Sequence, residues 1–306
     1  MHFVQRPDGR LSLAWAICEA DSQRRQNISV HRGVYLALFA AALISGLAVA
    51  WLAGCGRDAN GGEAAEGGKQ GGTLTILAAS SLTDAFGELA RTFEEQNPGT
   101  EVRMSFGASS EMLAQIQQGA PADVFASADQ ENMDTAVKGG LVAGRPEIFV
   151  KNREVVMVPK DNPANIKGLR DLAKPDIKLV LAENEVPAAE YAKEILHKAS
   201  ARYGEDFEKN VLSNVVSREA DVRASVNRVA VGDADATFGY ASDYTPEIRD
   251  RVEVVQIPPD LNIVATYPVA ALKNAKSPKL AKKWVDLVTG EEGQRVLKEW
   301  GFETVS

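Results

Sequence analysis

The sequence predicts an α/β fold built around parallel strands. After residue 72, apolar runs of strand length alternate with amphipathic runs of helix length, which is typical of parallel sheets whose strands are connected by helices. The first run, Thr73 to Ala79, begins with alternating polarity and then becomes continuously apolar, as a buried parallel strand does. The 252 residues that follow the first 54 fit two sheets of modest size better than one very wide sheet.

Each predicted element follows from its hydrophobic spacing. Period-two or continuous apolar runs predict strands at 73–79, 101–106, 123–126, 154–159, 178–182, 236–240 and 263–272. Apolar residues at helical spacing predict helices at about 82–93, 112–116, 129–138, 187–202, 221–231, 278–289 and 291–299. In the third of these helices, we expect Met133 and Val137 to face inward.

The first 55 residues predict an export signal. His31 and Arg32 precede an uncharged run over 33–54, which ends in Leu-Ala-Gly before Cys55. A positive end, an apolar stretch and small residues before a cut site are typical of a secretory signal, although the run is also long enough for a retained transmembrane helix. Leu-Ala-Gly-Cys resembles the lipobox of bacterial lipoproteins, which implies cleavage before Cys55 and lipidation of its thiol.

On either interpretation, we expect the residues after Cys55 to lie outside the cytoplasmic membrane. Residues 1–30 are too polar for the usual start of a signal, so Val30 or Val34 is a candidate first codon. Residues 55–72 then form the lipidated cysteine and a glycine-rich, flexible tether.

Charge and cysteine content exclude several classes of protein. The first 54 residues contain five Arg and three acidic residues, so the remainder carries 29 basic and 39 acidic side chains, a net charge of −10. Nucleic-acid binding needs a basic surface, so this balance disfavours it. Two cysteines and three histidines are too few for a disulfide framework or a zinc site.

No enzyme signature is present. The sequence lacks Gly-x-Ser-x-Gly, the Gly-x-x-x-x-Gly-Lys phosphate loop and His-Glu-x-x-His. His197 lies in a helical run that gives it no partner, so we expect it on the surface. We therefore predict that the protein is not an enzyme.

Two strand-to-helix junctions are rich in small polar residues. Ser81 follows the first strand, with Asp84 three residues later in the spacing of a capping box. Ser109 occupies an equivalent place after the second strand, before Glu111. Helix N-termini expose unpaired N–H groups and partial positive charge, so two of them facing one cleft can bind an anion without a cation. Ordinary helix capping is the alternative explanation of each junction.

The second half of the chain supplies further donors. Pro187 suits the first position of a helix and leaves the amides of Ala188 and Ala189 free. Asp221 can cap the next helix while the Val222 amide points outward. Tyr240 ends a predicted strand, where it offers a hydroxyl or serves only as a core aromatic.

Together these segments resemble the molybdate-binding proteins of ABC importers. The matching stretches are 78–86, 115–130 (which contains Gly-Ala-Pro-Ala-Asp-Val-Phe-Ala-Ser-Ala-Asp), 186–193, 267–270 and the Trp-Gly-Phe-Glu segment at 300–303. They follow the family's order over about 73–303.

The resemblance implies a type II periplasmic-binding fold, in which two α/β lobes are joined by two hinge strands and the ligand binds in the cleft. It implies one lobe over 73–155 and 265–306, a second lobe over 156–264, and hinge strands near 153–159 and 264–271. The family's ligand contacts fall on Ser81, Ser109, Ala188, Val222 and Tyr240, which hold the oxyanion through neutral donors and supply no direct metal ligand.

Three residues depart from the family pattern: Ser80, Ala108 and Glu111. Glu111 matters most, because an ionised carboxylate facing the site would repel an anion, and we expect it to point to solvent.

The expected function is capture of molybdate, and of the closely similar tungstate, by an extracytoplasmic lipoprotein that delivers it to an ABC permease. The expected localisation is the periplasmic side or the cell surface, and the expected form is a monomer without cofactors. Three alternatives stay open: a binding protein for another ligand such as sulfate, a carboxylate or an iron complex; an enzyme with Glu111 or Asp221 as its base; and a membrane-attached sensor.

Overall fold

The computed structural model describes residues 71–305. The predicted signal region (1–54), Cys55 and nearly all of the predicted tether lie outside the described residues. Within residues 71–305, no helix is both long and apolar enough to cross a membrane.

Ten strands and eight α-helices alternate along the described chain. The strands are β1 (Thr73–Ala79), β2 (Glu101–Gly107), β3 (Val124–Ala126), β4 (Glu147–Pro159), β5 (Leu179–Ala182), β6 (Val215–Glu219), β7 (Ala236–Tyr240), β8 (Val252–Val255), β9 (Val264–Ala271) and β10 (Glu303–Thr304). The helices are α1 (Thr83–Gln96), α2 (Ser109–Gln117), α3 (Gln130–Lys138), α4 (Pro187–Tyr203), α5 (Phe207–Ser213), α6 (Val222–Ala230), α7 (Pro278–Thr289) and α8 (Glu291–Glu299).

The strands form two sheet regions that share β4. In the first, β1 pairs in parallel with β2 and β3, and β9 runs antiparallel between β3 and the N-terminal half of β4. In the second, β5 pairs in parallel with β6 and β7, while the C-terminal half of β4 runs antiparallel to β7 and β8. The predicted α/β class is confirmed, although β4 joins the two regions into one ten-stranded sheet, in which β8 and β10 pair with β4 beside the main path of eight strands.

The chain passes between the two sheet regions at two places. Within β4, Arg153 pairs with Val264 of β9, whereas the next residue, Glu154, pairs with Tyr240 of β7. The second passage is the segment 256–263, between β8 and β9. We call each sheet region with its helices a lobe. The exact lobe limits inferred from the sequence remain predictions.

Each lobe has its own apolar core. In the first, Trp284 of α7 packs edge-on against Phe86 and Phe93 of α1, with ring centroids 5.3 and 5.5 Å apart. In the second, α4 buries Ile195 and Leu196 in a cluster with strands β4, β5 and β7. These cores hold the strand ends and helix starts that line the cleft.

Several elements were missed or misjudged. The N-terminal half of β4 mixes exposed and buried residues, and β6 alternates half-buried and exposed ones, so neither has a continuous apolar signal. The elements α5, β8 and β10 are short. Val137 is 44% exposed, so its expected inward position was wrong. The buried face of α3 instead uses Met133 and Ala136, which are three residues apart.

Candidate anion-binding site

A small cavity lies between the two lobes, where strand ends meet helix starts. Its volume is about 10 Å³, close to the space that one water molecule needs, whereas sites for drug-sized ligands measure roughly 300–1,000 Å³. All five predicted contacts line it: Ser81, Ser109, Ala188, Val222 and Tyr240. The cavity is therefore of a size for a small ion, and the fold brings the predicted donors together.

Helix starts surround the cavity on both sides. Helix α2 begins at Ser109, α4 at Pro187 and α6 at Val222, and all three residues are in the lining. No charged side chain lines the cavity among the residues that the structure describes. Any attraction for an anion within the lining comes from amide N–H groups, helix dipoles and hydroxyls.

Ser81 does not cap a helix, so the capping box expected at the first junction was wrong. Residues Ser80–Leu82 form a short 3-10 helix, and α1 begins only at Thr83 without a side-chain cap. The Ser81 hydroxyl instead lies 3.0 Å from the hydroxyl of Tyr267, which is itself 3.4 Å from Nδ2 of Asn152.

The Asn152 amide nitrogen can only donate, so the Tyr267 oxygen accepts from it. Either hydroxyl of the Ser81–Tyr267 pair can donate to the other. When Tyr267 donates, the Ser81 proton is available to the cavity. Sequence reasoning did not assign a role to Tyr267 or Asn152, because their contacts join positions 186 and 115 residues apart.

Ser109 is held by a different contact. Its hydroxyl oxygen accepts a hydrogen bond of 2.9 Å from the amide of Ala128, which leaves the hydroxyl proton free to donate. The residue before α2, Ala108, provides no side-chain cap, so ordinary capping does not explain Ser109 either.

The second lobe presents backbone amides. The Ala188 amide has no hydrogen-bond partner recorded within residues 71–305, but the amide of Ala189 donates to the Val186 carbonyl at 2.9 Å, so the expectation that both are free was half wrong. Asp221 caps α6 by accepting from the Ala224 amide at 3.0 Å, as predicted, and so fixes the helix start at which the Val222 amide lies.

Tyr240 is 1% exposed, and its hydroxyl has no hydrogen-bond partner among the described residues. Its ring packs edge-on against Tyr267, with centroids 5.8 Å apart. Burial is the main cause that raises the pKa of Tyr240 well above its usual value, so the hydroxyl stays a neutral donor. A buried polar group without a partner costs free energy, and an anion in the cavity would supply an acceptor.

An ion-pair network lies behind the lining. Arg223, which follows Val222, donates to Asp84 and lies 3.2 Å from Oδ1 of Asp243, although the latter contact is not aligned as a hydrogen bond. The other Asp243 oxygen accepts from the Tyr240 amide at 2.9 Å. Burial raises the pKa of Asp243 to about 6, against the opposing effect of Arg223.

Two residues singled out by their chemistry lie outside the cavity. Glu111 is exposed, as expected, and accepts a hydrogen bond from Gln115. The His197 side chain is 82% exposed, as expected, but does have a contact: its Nδ1 lies 3.2 Å from Glu208.

Known proteins share both the sequence pattern and the fold. The model of the family described as bacterial extracellular solute-binding protein matches residues 74–303. The molybdate-binding protein ModA of Mycobacterium tuberculosis is 35% identical over 260 residues, which cover 85% of this chain and 95% of that protein. The putative ABC transporter substrate-binding lipoprotein YvgL of Bacillus subtilis is 30% identical over 233 residues, covering 75% of this chain and 86% of its own.

A solved structure agrees with these relatives. The substrate-binding domain of a putative molybdenum ABC transporter from Clostridium difficile superposes with a TM-score of 0.58 and 29% identity, covering 76% of this chain and 99% of that one. The cleft, its donors and these matches define a solute-binding protein of a transport system. The chain belongs to the bacterial extracellular solute-binding protein family.

Proposed function

We propose that this protein binds molybdate in the cavity between its lobes and delivers it to an ABC permease. The observation that carries the proposal is a small, uncharged cavity lined by hydroxyls and helix starts that can donate hydrogen bonds but offer no anionic acceptor. Hydrogen bonds to a charged partner are shorter and stronger than neutral ones. The names of the relatives in M. tuberculosis and C. difficile support molybdate as the ligand.

The donor set favours an oxyanion without a proton. Molybdate, tungstate and sulfate present only acceptors at neutral pH, so donors satisfy them. Hydrogen phosphate also carries an O–H, which would remain unpaired in a closed cavity without an acceptor, and an unpaired buried group is strongly disfavoured. We therefore propose that tungstate also binds and that phosphate is excluded.

Binding is coupled to closure because the donors come from both lobes. Ser81 and Ser109 lie in the first lobe, whereas Ala188, Val222 and Tyr240 lie in the second. An anion that contacts both lobes favours the closed form by its differential contacts. The permease then recognises the closed form. The hinge consists of β4 and the segment 256–263, which leads to β9.

The proposed setting is extracytoplasmic. We propose that Cys55 is lipidated after signal cleavage and that residues 56–72 tether a monomeric binding domain to the membrane. YvgL, a relative described as a lipoprotein, supports this anchor. The protein releases its ligand unaltered, without a cofactor, and is not an enzyme.

The experiment is calorimetric titration of the purified protein with molybdate, tungstate, sulfate and phosphate. Tight one-to-one binding of molybdate and tungstate, with sulfate weaker and phosphate absent, is the expected result. If sulfate binds most strongly, sulfate and not molybdate is the ligand. If no oxyanion binds, the proposal is refuted.

A further inference from the structure

Glu154 is a carboxyl group buried without any partner. It is 0% exposed, and neither side-chain oxygen has a hydrogen bond among the described residues. Glu154 is also the first residue of β4 that pairs with the second lobe, so it lies where the chain passes between the lobes. An unpaired ionised carboxylate in such a place is very costly, because burial removes water without replacing it.

The antiparallel pairing of β4 with β7 places Glu154 beneath the cavity. Its direct antiparallel partner is Tyr240, and directly opposed residues project from the same face of a sheet. Asn152, two residues earlier on β4, points to that face as well and reaches Tyr267. Glu154 therefore shares a face with the side chain that positions the Ser81 hydroxyl and with the Tyr240 hydroxyl of the cavity.

Within residues 71–305, no cation neutralises Glu154. The negative charge of an ionised Glu154 contributes to raising the pKa of three tyrosines: Tyr240, Tyr267 of β9 and Tyr191 of α4. The nearby carboxylates are Asp243, which follows β7, and Asp129 at the start of α3, whose charge also acts on Tyr240 and Tyr191. Arg223 is engaged by Asp84 and Asp243. Burial first, and then Asp243, raises the pKa of Glu154 well above its usual value.

We propose that Glu154 sets the affinity of the site through a proton: it takes up one proton when the oxyanion binds and the lobes close. This inference rests on the proposed function. Opening of the lobes admits water to the floor of the cleft, so the pKa of Glu154 is raised less in the open form than in the closed form. A dianion above an ionised Glu154 would be repelled, whereas the neutral acid removes that repulsion. The proton comes from solvent, and no bond to the anion forms.

The test is to count protons by titrating molybdate in buffers of different ionisation enthalpy. Above the usual titration range of a glutamic acid, the wild-type protein should take up as much as one proton per anion, and its affinity should fall with rising pH by up to about tenfold per pH unit. Glu154→Gln should bind with little pH dependence and take up no proton. Glu154→Leu gives a second neutral variant if the glutamine variant does not fold.

Two control variants identify the proton's position. Glu111→Gln removes an exposed carboxylate of the first turn of α2 and should leave proton uptake unchanged. Asp243→Asn removes the neighbouring buried acid. This variant should still take up a proton when the anion binds, whereas Glu154→Gln should not. Uptake that persists in Glu154→Gln, or wild-type binding without uptake, would overturn the inference while leaving molybdate binding intact.

Thermal melting without ligand separates this inference from the proposed function. Ionisation of Glu154 opposes folding, so Glu154→Gln should melt above the wild type at about pH 8, and the difference should vanish at about pH 3, below the unfolded pKa of about 4.3. Equal melting temperatures at both pH values would overturn the buried-acid assignment. Absence of molybdate binding would refute the proposed function and the proton coupling together.

Discussion

Arg223 at the start of α6 donates to Asp84 in the first turn of α1, and this ion pair joins the two lobes. Asp84 lies three residues after Ser81, and Arg223 directly follows Val222, so the pair forms where the cavity donors of the two lobes meet. Its side chains are only 24% and 27% exposed, which limits screening by water and salt. The pair therefore adds a contact that separation of the lobes would break.

Asp84→Asn should weaken molybdate binding by about two- to fivefold, because an ion pair of limited exposure stabilises the closed form by up to about 1 kcal/mol. Calorimetric titration measures this change. Asp286→Asn is the matched control, because it breaks the exposed Lys282–Asp286 pair within one helix and should leave affinity unchanged. Equal affinities of the two variants would show that the Asp84–Arg223 pair does not favour closure.

Tyr240→Phe should weaken binding by about 1–2 kcal/mol, the scale of one hydrogen bond to a charged group. Its unfolding free energy without ligand should not fall, because the hydroxyl has no partner within the described protein. Denaturant unfolding and titration of the same preparation separate the two effects. Wild-type affinity in Tyr240→Phe would remove Tyr240 from the site.

Ser109→Ala should lose both affinity and stability, in contrast to Tyr240→Phe. The Ser109 oxygen accepts from the Ala128 amide, so removing it leaves a buried donor unpaired, at a cost of about 1–3 kcal/mol. We expect binding to weaken by a further 1–2 kcal/mol or so, through loss of the donor to the anion. A stable variant with unchanged affinity would contradict both roles.

Tyr267→Phe should weaken binding although Tyr267 is not among the residues that line the cavity. Its hydroxyl is hydrogen-bonded to the hydroxyl of Ser81, so its removal leaves the Ser81 hydroxyl free to rotate away from the anion. We expect a loss smaller than that of Ser81→Ala, and nearly no further loss when the two changes are combined, because the contacts act in series. Additive losses in this double-mutant cycle would show that Tyr267 acts independently of Ser81.

Stability should decrease as pH rises through the titration of Asp243. Its folded pKa of about 6 exceeds the value of about 3.9 expected in the unfolded chain. The folded state therefore binds more protons between these values, and the unfolding free energy should fall by about 2 kcal/mol from pH 4 to pH 6 through this group. Denaturant unfolding of Glu154→Gln across this pH range measures the decrease without the contribution of Glu154. Adding Asp243→Asn to that variant should make its unfolding free energy nearly independent of pH.

The sequence by itself determined the α/β class and most strand and helix positions, and it predicted five ligand contacts that all lie in the cavity lining. Buried strands such as Thr73–Ala79 and amphipathic helices such as Glu291–Glu299 carry their pattern locally, because a side chain's burial follows from the period of its element. The five contacts came from the family resemblance, supported by their places at strand ends and helix starts.

Only the tertiary structure decided what those residues touch. Ser81 had the spacing of a capping residue, yet its hydroxyl pairs with Tyr267, which is 186 positions away. The burial of Glu154 and the ion pair between Asp84 and Arg223 are equally nonlocal. Such contacts depend on which strands become neighbours, and the pairing of β4 with both β9 and β7 is set by the packing of the whole chain rather than by any local run of residues.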